Sequence, residues 1–181
     1  MPNTSALGGF AECGNEAKPL FCAFFKFFNK QGVFIYIDTS KIVPFGEHSY
    51  EKYRGYKIFI VNKTDSVVKL PAINSILYAV AEVYYKGKWH EIEYILYSWC
   101  GNSYHSVFLR PGEYWEDVVP KYTGRIKSKM RYKLFLTEEQ YVLSNEVPIS
   151  FNLSQLYITK DSFCQIMDSL GIYKDEPPPL E

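Results

Sequence analysis

The sequence predicts an all-β protein of antiparallel strands, on three observations. Aromatic residues supply 18% of the chain, with 16 Tyr and 13 Phe, and such side chains favour the pleated, half-buried surface of a sheet. Turn signals return roughly every ten residues between 56 and 151, the spacing of a sandwich or barrel. The segments between them alternate, most clearly from Arg125 to Leu134, so successive side chains are sorted onto two faces.

Size and charge narrow the classes. A chain of 181 residues suits one domain and buries roughly 70% of its unfolded surface without help from metal or disulfide. Its 20 basic and 20 acidic residues cancel to a formal net charge of +0, which argues against a general nucleic-acid binder or a polybasic membrane module. A hydrophobic content of 47% excludes wholesale disorder.

Residues 1–32 form an N-terminal leader and an apolar segment. The leader is Gly-rich and aperiodic, whereas Leu20–Asn29 is either a short buried helix or a strand, because a continuous apolar run carries no period. No basic region precedes it, so it is not a signal peptide. Lys26 interrupts it, and it is far shorter than the ~20 residues that cross a bilayer. No transmembrane segment is expected, and the chain reads as cytoplasmic unless a leader has been removed.

Residues 33–160 form the β domain. Val33–Asp38 is a strand, followed by a turn over Val43–Glu47. Tyr56–Asn62 and Ser66–Leu70 are strands separated by a polar turn, and Pro71–Asn74 break the second. Ser75–Tyr85 is one long strand, joined through Tyr85-Lys86-Gly87-Lys88 to Trp89–Tyr97 as a hairpin. Ser98–Tyr104 is a loop, and His105–Leu109 and Glu113–Val119 are strands on either side of Arg110-Pro111-Gly112. Arg125–Leu136, Tyr141–Leu143 and Val147–Phe151 complete the set, with Pro148 marking an edge or bulge. Residues 161–181 are a short helix, Ser162–Leu170, capped by Asp161 and ended by Gly171, and a proline-rich tail. The expected architecture is an immunoglobulin-like antiparallel β-sandwich of about seven to nine strands with a short C-terminal helix, without the Cys…Trp…Cys signature of true immunoglobulin domains.

The second half carries Trp99-Cys100-Gly101-Asn102-Ser103, Pro111-Gly112-Glu113-Tyr114-Trp115, Pro120-x-Tyr122-x-Gly124, Arg131-Tyr132-Lys133-Leu134 and Ser144-Asn145-Glu146. In these it resembles a group of uncharacterised bacterial immunoglobulin-like β-sandwich proteins with no assigned activity. The resemblance implies the fold and no chemistry.

Catalytic and metal signals are weak. The four cysteines and three histidines contain no C-x2-C or H-x3-H pair, so no metal and no other cofactor is expected. Cys13 and Cys22 either close a small loop or stay reduced. Cys100 and His105 are a C-x4-H pair without a signalled third group. P-loop, dinucleotide, nucleophile-elbow and H-E-x-x-H motifs are missing. Glu82, Glu113 and Glu116 are available carboxylates without a recognisable pairing. Asn3, Asn62 and Asn152 head N-x-S/T sequons.

Two surfaces remain. Arg125, Lys127, Lys129, Arg131 and Lys133 share one face of a strand, either as an anion strip or as a solvated face paired with acids such as Glu91 and Glu93. Neutrality favours the paired face, and no nucleic acid is expected as partner. The loop Trp99–His105 with Trp115 is the candidate working surface: Asn102 allows a tight turn, and Trp99, Tyr104, His105 and Trp115 supply large side chains with polar handles. Trp89 is expected in the core. The preferred function is a non-catalytic binding or protein-interaction module. Carbohydrate or small-ligand binding through the loop tryptophans is the alternative, and a cysteine-dependent enzyme built on Cys100 is the third reading.

Overall fold

A computed structural model of the chain describes residues 18–19, 31–44, 54–73, 76–93, 103–137 and 139–157. These residues are all-β: twelve strands, every pairing antiparallel, with a 3-10 turn at Leu153–Tyr157. The strands are β1 (Lys18–Pro19), β2 (Val33–Pro44), β3 (Arg54–Asn62), β4 (Val68–Ile73), β5 (Ile76–Leu77), β6 (Ala79–Tyr85), β7 (Lys88–Glu91), β8 (Tyr104–Leu109), β9 (Glu113–Pro120), β10 (Ile126–Phe135), β11 (Tyr141–Leu143) and β12 (Val147–Phe151). The expected helix at Ser162–Leu170 lies outside the described residues. None of the described helices is long and apolar enough to cross a membrane.

Three sheets enclose one core. One has the order β1-β9-β3-β2, one is β11-β10-β6-β7 with β12 also paired to β10, and one is β5-β4-β8. Ile35, Ile37, Ile58, Ile60 and Trp115 of the first sheet meet Ala81, Val83, Met130, Tyr132, Leu134 and Phe151 of the second, and Leu70, Ala72, Val107 and Leu109 of the third. The four-stranded sheet is apolar on its other face too, at one end: Phe59 and Val61 are buried there with Phe34, Tyr36 and Tyr114 packed against them.

Several elements depart from the sequence reading, each for a local reason. The strand starting at Val33 continues to Pro44 through a bulge that inserts residues 39–41 between the pairs Asp38↔Lys57 and Ile42↔Tyr56. The Asp38 carboxylate accepts the Ser40 N–H at 2.8 Å and holds the bulge. Strand β4 runs through Pro71, where a break was expected. The Pro71 carbonyl accepts from Tyr78, away from β8. A residue's N–H and C=O point to one side of a strand, so the missing N–H costs the β8 ladder nothing. The long strand expected over Ser75–Tyr85 is two strands in two sheets. They meet at Tyr78, whose N–H bonds Pro71 in one sheet and whose carbonyl accepts from Phe135 in the other. The hairpin turn is as read: Lys86 (φ 48°) and Gly87 (φ 81°) both take the left-handed region, the requirement of a type I′ turn.

Candidate binding face

Strand β10 defines the site, because its alternation is observed. Met130, Tyr132 and Leu134 are buried, and Lys129, Arg131 and Lys133 project from the opposite face. The register sets Arg131 beside Glu82, Glu82 beside Glu91, and Tyr84 beside Trp89. Each cation is thereby bracketed. Arg131 Nε pairs with Glu82 at 2.7 Å and its guanidinium lies 3.9 Å from the centre of the Trp89 ring. Lys129 pairs with Glu146 at 2.6 Å and sits over Tyr84 (5.0 Å) and Trp89 (5.5 Å). Lys133 pairs with Glu91 at 3.3 Å and sits over Phe135 and Tyr141. Tyr84 and Trp89 meet edge to face at 5.3 Å. The face is an ordered layer of cations, carboxylates and aromatic rings. At its β11 edge Tyr141 and Leu143 are 51% and 40% exposed.

The acids behave differently from one another. Glu91 pairs with the basic strand as expected, but Glu93 does not. Ile92 and Ala81 would exchange two backbone bonds in a regular ladder. The bond from Ile92 N–H to Ala81 O is made at 2.9 Å, whereas Ala81 N–H donates to the Glu93 carboxylate at 3.1 Å. The alternation breaks there, Ile92 enters the core, and Glu93 turns inward as well. Its other oxygen accepts the hydroxyls of Tyr132, at 2.7 Å, and of Tyr122. Burial pushes the Glu93 carboxyl above its ordinary range, opposed by the three hydrogen bonds it accepts. Burial, reinforced by the Glu93 charge, pushes both tyrosine hydroxyls up.

The residues expected to form the working surface separate. Trp115 is 4% exposed and lies in the central core, so it does not belong to an accessible surface. The alternation of β9 explains this: Trp115, Asp117 and Val119 face inward. Tyr104 and His105 are half-buried on β8, opposite Ile73 and Ala72. His105 Nδ1 bonds the Ser103 carbonyl at 3.0 Å. Trp99, Cys100 and Asn102 lie outside the described residues. Trp89, expected in the core, is instead half-buried on the outer face against Arg131. Its place opposite Tyr84 follows from the hairpin turn, but the pairing of β6 with β10 has no local signal in the sequence.

Among the described residues no group of three His, Cys, Asp or Glu side chains is placed to hold a metal ion. No protein-family model, curated protein or solved structure matches the chain.

Proposed function

We propose that the chain is a non-catalytic protein-interaction module, an immunoglobulin-like β-sandwich related to the bacterial proteins it resembles. The module works through the outer face of the β10 sheet. The observation that supports this is the composition of that face: Trp89, Tyr84, Tyr141 and Arg131 together, with Leu143 exposed at the rim. Trp, Tyr and Arg are the residues that dominate the energetics of protein interfaces. Here they are held in place before any partner arrives, which lowers the ordering cost of binding. The alternative of sugar binding through paired loop tryptophans loses Trp115 to the core.

The test is photo-crosslinking with a benzoyl-phenylalanine at position 141, and at Ser40 as a control, in cells that express the protein. A partner protein captured at 141, absent at 40 and lost on Trp89→Ala, is the expected result. Equal capture at both positions, or capture unaffected by Trp89→Ala, would overturn the reading.

A further inference from the structure

The four-stranded sheet carries a closed apolar layer on the face that looks away from the core. Phe59 and Val61 lie on that face, alternating with the core residues Ile58 and Ile60, yet they are only 8% and 0% exposed. The register builds the layer in two rows. Phe34, Val61 and Tyr114 stand side by side across β2, β3 and β9, and Tyr36 and Phe59 stand side by side in the next row. The Phe59 and Tyr114 rings meet at 5.9 Å. The layer stops where Lys57 pairs with Glu116. Side chains stand roughly perpendicular to a sheet, so neighbours shield one another's flanks and leave their tips open. Phe59 and Val61 are closed at the tips as well, so further chain lies across them.

We infer that this layer is the docking surface of the chain's own apolar segment, Leu20–Phe28. The points where the chain leaves and re-enters the sheet supply the place. Lys18 and Pro19 pair with Tyr114 and Glu113 at one edge, and Val33 pairs with Asn62 at the other. Lys18 extends the row of Tyr114, Val61 and Phe34, so both junctions lie at the apolar end of the sheet. Residues 20–30 bridge the two edges. Three strand spacings are about 14 Å, whereas an extended chain of that length reaches about 36 Å, so there is chain to spare. The inner face is already filled by Ile35, Ile37, Ile58, Ile60 and Trp115, which leaves the outer one. Composition supplies the fit: in LFCAFFKFF, Lys26 alone is polar, and such a run gains most by lying on another apolar surface. A second copy or another protein on this face would leave the run without a surface of its own. The two outer faces of the molecule thus differ, one covered by its own chain and the other, on the β10 sheet, left for a partner.

The experiment places benzoyl-phenylalanine at Tyr36, within the layer, in the purified full chain at low concentration. Irradiation, digestion and mass spectrometry then locate the crosslinks. The expected products include a crosslink within one chain to a peptide containing residues 20–28. That product should be lost in Phe24→Asp with Phe25→Asp, and a dye that fluoresces on apolar surface should bind this variant more strongly than the wild type. A wild-type chain that gives no product in 20–28, or that gives a dimer crosslinked through position 36, would overturn the inference. So would a double variant that keeps the crosslink and binds no more dye. The wild-type crosslink decides the matter even where the double variant does not fold. Capture of a partner at position 141 is read independently, on the other sheet, so either result can fail while the other stands.

Discussion

Single residues in this chain carry structural duties that their neighbours in sequence do not announce. Asn62 is fully buried and uses its whole amide. It donates to the Ser66 and Leu109 carbonyls, both at 2.8 Å, and accepts from the backbone and hydroxyl of Thr64. It heads a sequon, yet its amide is committed to the fold. Asn145 imitates a strand: its side chain takes the Ile37 N–H at 2.7 Å and returns a bond to the Ile37 carbonyl at 3.0 Å, satisfying both polar groups of a β2 residue. Gly124 has no room for a side chain, since an added Cβ would lie 2.1 Å from the Phe151 carbonyl carbon. Gly124→Ala should therefore destabilise by about 1–3 kcal/mol or more in urea unfolding, and a neutral result would mean that the β12 backbone yields. Tyr122, Gly124, Tyr132 and Asn145 are thus accounted for by folding.

Glu93 gives the pH prediction at this same scale. Burial holds its folded-state pKa above the ordinary glutamate value of 4.5, so the native state holds the proton more tightly than the unfolded chain does. The contribution to stability is complete below about 4.5 and is lost as the pH rises through the folded-state value. Urea unfolding of the wild type against Glu93→Gln should show a stability difference that shifts in favour of the variant across this window. A difference independent of pH would mean that Glu93 titrates normally. Glu93→Ala strips the Ala81 N–H and two tyrosine hydroxyls of their acceptor, a loss of about 1–3 kcal/mol for each group left buried and unpaired.

At the scale of the element, strand β10 was the most legible part of the chain, because five cations in alternate positions against Ile126, Met130, Tyr132 and Leu134 admit one arrangement on a half-buried sheet. Tyr132→Asp should abolish cooperative unfolding by placing a charge beside Glu93 in the core, whereas Lys127→Asp should stay within about 0.5 kcal/mol of wild type. Equal costs would contradict the observed alternation. The β6–β7 hairpin was legible from its turn, and Gly87→Ala, at φ 81°, should cost about 1 kcal/mol. Less was legible where a strand changes sheets or leaves its ladder. Neither the bend at Tyr78 nor the inward turn of Glu93 follows from period two, because each is set by a partner distant in sequence: Phe135 for the first, Tyr122 and Tyr132 for the second.

At the scale of the whole molecule, the division between core and working face separates two tryptophans that composition alone treats alike. Trp115 lies 4% exposed among residues from all three sheets. Trp89 is half-buried on the outer face, where it touches Arg131 and Tyr84. Replacing each by alanine should therefore separate stability from binding. Trp115→Ala leaves a cavity at the centre of the fold and should cost ~3–5 kcal/mol of unfolding free energy. Trp89→Ala removes a ring that solvent already reaches, along with a cation–π contact worth about 0.5–1 kcal/mol at such a site, so a loss near 1 kcal/mol is expected. Capture of a partner at position 141 should respond in the opposite order: lost in Trp89→Ala, retained in Trp115→Ala under conditions where that variant is still folded. Urea denaturation monitored by circular dichroism, run beside the crosslinking assay, measures both. If Trp89→Ala proves the more destabilising of the two, the outer face is a second core and the interaction surface must be sought elsewhere on the molecule.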